Sequence, residues 1–105
     1  MISIENIYLI AGNARDIVAN IDMTAADFTG FTIKWFLKPM IGAEPILTKD
    51  VSSGVTSAGK QITIRLKTAD TKTLSPGMYW HELKIFDQNQ EETTLLCGDF
   101  VLYAG

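Results

Sequence analysis

The chain has 105 residues, 47% of them hydrophobic, and a formal net charge of −3 from 9 basic and 12 acidic side chains mixed along its length. That length defines one domain spanning 1–105, and the apolar content is too high for a disordered chain. No basic stripe is present to drive nucleic-acid binding, and no run approaches the roughly 20 apolar residues of a membrane-spanning helix, so neither nucleic acid nor membrane is expected as a partner.

Met1 to Asn6 lacks a basic segment followed by an apolar run and does not read as a secretion signal. Cys97 is the only cysteine. A lone thiol suits a reducing compartment, so the expectation is a complete small product made in a cytoplasm. Ile4 to Ile10 and Arg15 to Asp22 are weak strands parted by Gly12-Asn13. Thr24 to Gly30 reads as a loop or a short helical turn, with Thr24 a candidate N-cap. Phe31 to Lys38 alternates, with Phe31, Ile33, Trp35 and Leu37 on one face. Pro39 and Gly42 end it, and a weak strand follows from Pro45 to Val51.

Ser52 to Gly59 is a Ser/Gly-rich loop. Gln61 to Lys67 alternates apolar and polar without error, as a half-buried strand must. Thr68 to Leu74 predicts one helical turn, and Ser75-Pro76-Gly77 fits a type II turn. Strands from Met78 to Phe86 and from Leu95 to Tyr103 follow, joined by a hairpin at Asp87-Gln88-Asn89-Gln90. About seven short strands with regular turns predict an all-β, immunoglobulin-like antiparallel β-sandwich.

The chemistry-bearing residues are few. His81, the single histidine, falls in phase with Tyr79, Leu83 and Ile85. It reads as a structural core-side residue, because no orienting acid or nucleophile accompanies it. Cys97 reads as a small apolar filler or contact residue, with no partner to lower its pKa. One His and one Cys make a poor zinc set, and no Asp-rich loop has calcium spacing. The glycines form no phosphate-binding loop. No catalytic, cofactor or metal residue is therefore assigned, and an enzyme is disfavoured. Trp35 is expected in the core, and Tyr79 is placed where a tyrosine corner forms.

The opposite phase of three strands carries a less ordinary signal. If 31–38, 78–86 and 95–103 are neighbours in one sheet, their outward face carries Phe36, Met78, Trp80, Phe86, Leu95, Val101 and Tyr103. A contiguous apolar face of this kind marks a contact surface. The alternative is that Ile2 to Ile10, or a loop, folds over it.

The run Asp70 to Asp87, containing Thr73-Leu74-Ser75-Pro76-Gly77-Met78-Tyr79 and Glu82-Leu83, resembles a pattern of phage and prophage virion proteins. Asp27-Phe28-Thr29-Gly30-Phe31-Thr32 resembles that family's D-L-T-G-aromatic-T segment, with Phe28 where Leu is usual. Thr94 to Leu102 resembles its closing strand. The family includes the N-terminal domain of baseplate upper proteins and small tail- or neck-associated proteins. The resemblance implies an immunoglobulin-like virion component, made in the bacterial host cytoplasm. It would act as an interaction module in tail, neck or baseplate, with other virion proteins or its own copies as partners. A second class is a sugar- or surface-ligand-binding module, in which Trp80 stacks on a ring beside Asn, Asp or Gln.

Overall fold

The computed structural model describes residues 3–22 and 28–105. The turn expected at Thr24, together with Asp27 of the D-F-T-G segment and Ile2 of the segment expected to cover the outward face, lies outside the described residues. The strands are β1 (Ser3–Ile4), β2 (Ile7–Ile10), β3 (Arg15–Asn20), β4 (Thr32–Lys38), β5 (Leu47–Lys49), β6 (Val55–Ala58), β7 (Gln61–Leu66), β8 (Gly77–Phe86) and β9 (Glu92–Tyr103); one helical turn, α1, spans Thr68–Thr71. One sheet runs β1-β9-β8-β4-β5, with β2 also on β9, and the other runs β3-β7-β6. The two sheets face each other across a single apolar core.

Alternation places that core. Odd residues of β4 and even residues of β7 turn inward, and Trp35, Leu37, Ile62, Ile64 and Leu66 are fully buried beside Leu83 and Phe100. Each large aliphatic side chain withdrawn in this way contributes about 1.5–3 kcal/mol. Trp35 is in the core as expected. Tyr79 makes the tyrosine corner, its hydroxyl donating to the Ser75 carbonyl at 2.5 Å. The expected type II turn at 75–77 does not form. Gly77 has φ 154, far from the +80° that such a turn needs, and belongs to β8.

Three further differences from the sequence reading have local causes. The Ser52–Gly59 loop contains β6, whose weakly patterned Thr56, Ser57 and Ala58 are held by pairing with β7. The weak strand expected from Pro45 to Val51 shortens to β5, where Lys49 lies opposite Trp35 on the inward side and its ammonium meets Asp70 Oδ2 at 2.6 Å. The N-terminal strand is broken in two at Glu5-Asn6, where it pairs in parallel with β9.

His81 and Gly98 explain that break. The indole N–H of Trp35 can only donate, and it donates to His81 Nδ1 at 3.1 Å. The proton of the imidazole is therefore on Nε2, which donates to the Glu5 carbonyl at 2.7 Å. Gly98 lies across from His81, and a Cβ there would collide with that same carbonyl. Asn6 Oδ1 then accepts from the Asp99 N–H at 3.0 Å. His81 is thus a structural residue that locks the N-terminal strand to the sheet. Burial holds its pKa below the ordinary histidine value, against the nearby Glu5 carbonyl and the Glu5, Asp99 and Glu82 carboxylates, which favour the charged form.

Candidate interaction face

The outward face of the larger sheet is laid out by register. Met78 sits opposite Val101, which sits opposite Tyr8; Tyr103 sits opposite Ile10. Trp80 lies between Lys38 and Asp99, and Glu82 lies between Phe36 and Cys97. Lys84 separates Lys34 from Thr94, and Phe86 separates Thr32 from Glu92. Of the seven residues expected on this face, Met78, Trp80, Val101 and Tyr103 come together at one end. Phe36 lies beside that group, nearer β5. Phe86 stands at the far end of β8, eight residues or about 26 Å from Met78.

Leu95 is not on this face. The β8–β9 register shifts between Leu83 and Lys84: Leu83 pairs with Leu96 and Lys84 with Thr94. Leu95 is the extra residue of a bulge and packs against the core. An insertion of one residue reverses the phase that alternation alone assigns.

The N-terminal strand does not cover the face. It extends the sheet edge-on, sending Ile7 and Leu9 into the core and leaving Tyr8 and Ile10 outward, 56% and 47% exposed. Met78 and Tyr103 are 65% and 52% exposed beside them. In the loop after β4, Met40 and Ile41 are also exposed, and with Pro39 they wall a groove of about 360 Å³ against Met78, Tyr79, Trp80 and Asp99. The sequence reading missed Tyr8, Ile10, Met40 and Ile41. The signal was present at the first two, since Ile7 to Ile10 is apolar on both phases.

The middle of the face is polar. Glu82 Oε1 lies 2.8 Å from Lys38 Nζ and 3.8 Å from Lys84 Nζ, as charge contacts and not as an aligned hydrogen bond. Glu82 Oε2 accepts from the Trp80 indole N–H at 3.0 Å. Burial raises the Glu82 pKa, but Lys38, Trp80 and Lys84 outweigh it and hold the carboxyl below its usual range. Lys84 also pairs with Glu92 at 2.9 Å, and Lys34 Nζ stands 5.6 Å over the Phe86 ring. The face is therefore a bare apolar end, a charged middle and a covered far end, not the broadly apolar surface expected. Cys97 is half-buried on the same face, and burial together with Glu82 pushes its thiol pKa up, which suits a contact residue better than a nucleophile.

Among the described residues, no three His, Cys, Asp or Glu side chains cluster to hold a metal, and no helix is long and apolar enough to cross a membrane. No family model and no curated protein matches the chain. A solved structure of the fibronectin(III)-like modules of Clostridium thermocellum CbhA is similar over 100% of this chain and 92% of that one, with TM-score 0.50 and 10% identity. Sheet topology and this likeness together define the fold: an immunoglobulin-like β-sandwich. A fold of this kind hosts many unrelated functions, so fold alone names neither a role nor a ligand.

Proposed function

We propose that the chain is a protein–protein interaction module of a phage or prophage virion, working in tail, neck or baseplate and made in the bacterial host cytoplasm. Its partners are other virion proteins, and the contact runs through the apolar end formed by Tyr8, Met78, Trp80, Val101 and Tyr103. One observation carries the interaction reading: the exposed Tyr8, Met78 and Tyr103 lie side by side in register with the half-buried Trp80 and Val101. The virion assignment draws on the resemblance of Asp70–Asp87 and Thr94–Leu102 to the phage family. The sugar-binding reading has less support, because among the described residues Asp99 is the only Asn, Asp or Gln lining the groove beside Trp80.

The test uses particles from the source strain. A tagged chain should copurify with density-banded virions, and Met78→Asp with Tyr103→Asp should remove it while leaving the thermal melt unchanged. Failure of the wild-type chain to band with particles rejects the virion role. Retention of the double variant rejects the face.

A further inference from the structure

β3 has one open edge. The Ile21 N–H donates to the Lys60 carbonyl at 2.9 Å, and the antiparallel register continues from Asn20–Gln61 to Arg15–Leu66. Hydrogen-bonded and non-bonded pairs alternate along such a ladder. Arg15, Ile17 and Ala19 therefore turn their N–H and C=O toward β7, and Asp16, Val18 and Asn20 turn theirs away. Among the described residues no backbone group meets them, for β3 ends its sheet. The strand is six residues long and carries no Pro, no Lys and no bulge, three devices that block a free edge, and its two charged side chains, Arg15 and Asp16, are engaged by Tyr8 and Arg65 of the same chain. The neighbouring edge of β2 is different: the Arg15 guanidinium donates to the Tyr8 carbonyl at 2.9 Å and occupies it.

We infer that a second copy of this chain docks on β3, antiparallel, so that two three-stranded sheets become one of six strands. A two-fold axis through Val18, perpendicular to the sheet, sets Val18 against Val18 of the second copy and Asp16 against its Asn20. This register pairs every outward-turned N–H and C=O of Asp16, Val18 and Asn20. Moving the axis one residue either way leaves some of those groups unpaired inside the strand. A slip between the two would set core-facing residues against solvent-facing ones.

The side chains agree with that choice. Val18, 44% exposed, packs on its own copy. Asn20 Oδ1 accepts from Gln61 at 3.1 Å, which leaves its amide N–H groups for Asp16 of the second copy. Asp16, held by Arg65 at 3.0 Å, faces the neutral Asn20 in this register, so no like charges are brought opposite each other. The surface is separate from the apolar end of the other sheet, and the inference does not rest on the virion reading.

Sedimentation across protein concentration should show the mass doubling from 11.6 kDa. Val18→Lys should stay at the single-chain mass with an unchanged melt, while Met78→Ser should dimerise like wild type. Register is tested in a Cys97→Ser background under oxidation. Val18→Cys should crosslink to itself, and Asp16→Cys and Asn20→Cys should crosslink only when mixed. A wild-type chain that remains single at millimolar concentration overturns the inference. So does a dimer lost in Met78→Ser but kept in Val18→Lys, or Asp16→Cys crosslinking to itself as well as to Asn20→Cys.

Discussion

Met78 and Phe86 lie on the same strand, on the same face and in the same phase, yet they meet opposite fates. Phe86 is half-buried under the Lys34 ammonium, with the Lys84–Glu92 pair beside it. Met78 stands 65% exposed with Val101, Tyr8 and Tyr103 for neighbours. Alternation assigns a residue to a face. Whether that residue is available to a partner depends on the side chains one strand away. Long cations lay their stems over an apolar neighbour and keep their heads in water; Lys34 does so over Phe86, whereas the residue opposite Met78 is Val101.

The largest perturbation removes what both ends share. Trp35→Ala should cost about 3–5 kcal/mol in urea unfolding, the usual range for truncating a buried aromatic, and it leaves His81 Nδ1 without its donor. Both ends should then lose amide protection together. Gly98→Ala should separate them. It overpacks the Glu5 carbonyl at a cost of about 1–3 kcal/mol, and hydrogen exchange should rise in β2 and at Val101–Tyr103 while residues 84–86 keep their protection. Equal loosening at both ends would show that β2 does not support the apolar end separately.

Acid should act through the same contact. The folded pKa of His81 lies below its unfolded value, so the unfolded chain binds more protons as pH falls. The contribution of His81 is complete above the unfolded value of about 6.5 and is lost as pH drops below it. Urea midpoints at pH 7.5 and 5.5 should therefore differ, with the lower value at pH 5.5 and a smaller difference in His81→Gln. The mildest test is the pair itself. Phe86→Ser should destabilise by about 1 kcal/mol, since it loses burial and a cation–π contact. Met78→Ser should change stability by less than about 0.5 kcal/mol, measured by thermal melts. Equal costs would mean that Met78 is covered in solution.

Much of the fold was legible because a few strands state their phase clearly. Gln61 to Leu66 and Thr32 to Lys38 needed only parity to place Ile62, Ile64, Trp35 and Leu37 in the core. Tyr79 could be read from the Pro-Gly before it. The site was half legible, for reasons that parity cannot express. The bulge at Leu95 reverses phase without any Gly or Pro to announce it. Lys38, Glu82 and Lys84 share the outward phase with Phe36 and Trp80, so the charged middle stood in the sequence, and counting only apolar residues hid it. That Tyr8 and Ile10 would join this face depends on a long-range parallel pairing, which leaves no local mark.

The lock between His81, Glu5 and Gly98 sets an order of events. Asn6 and Asp99 are 93 residues apart, so the first described strands of the sandwich pair with its last. β1 and β2 have nothing to complete until β8 has delivered the imidazole and β9 the glycine. During synthesis their Ile7 and Leu9 must wait, apolar and unpaired, for nearly the whole domain to be made. The step that closes the sheet is thus the step that takes Ile7 and Leu9 out of water.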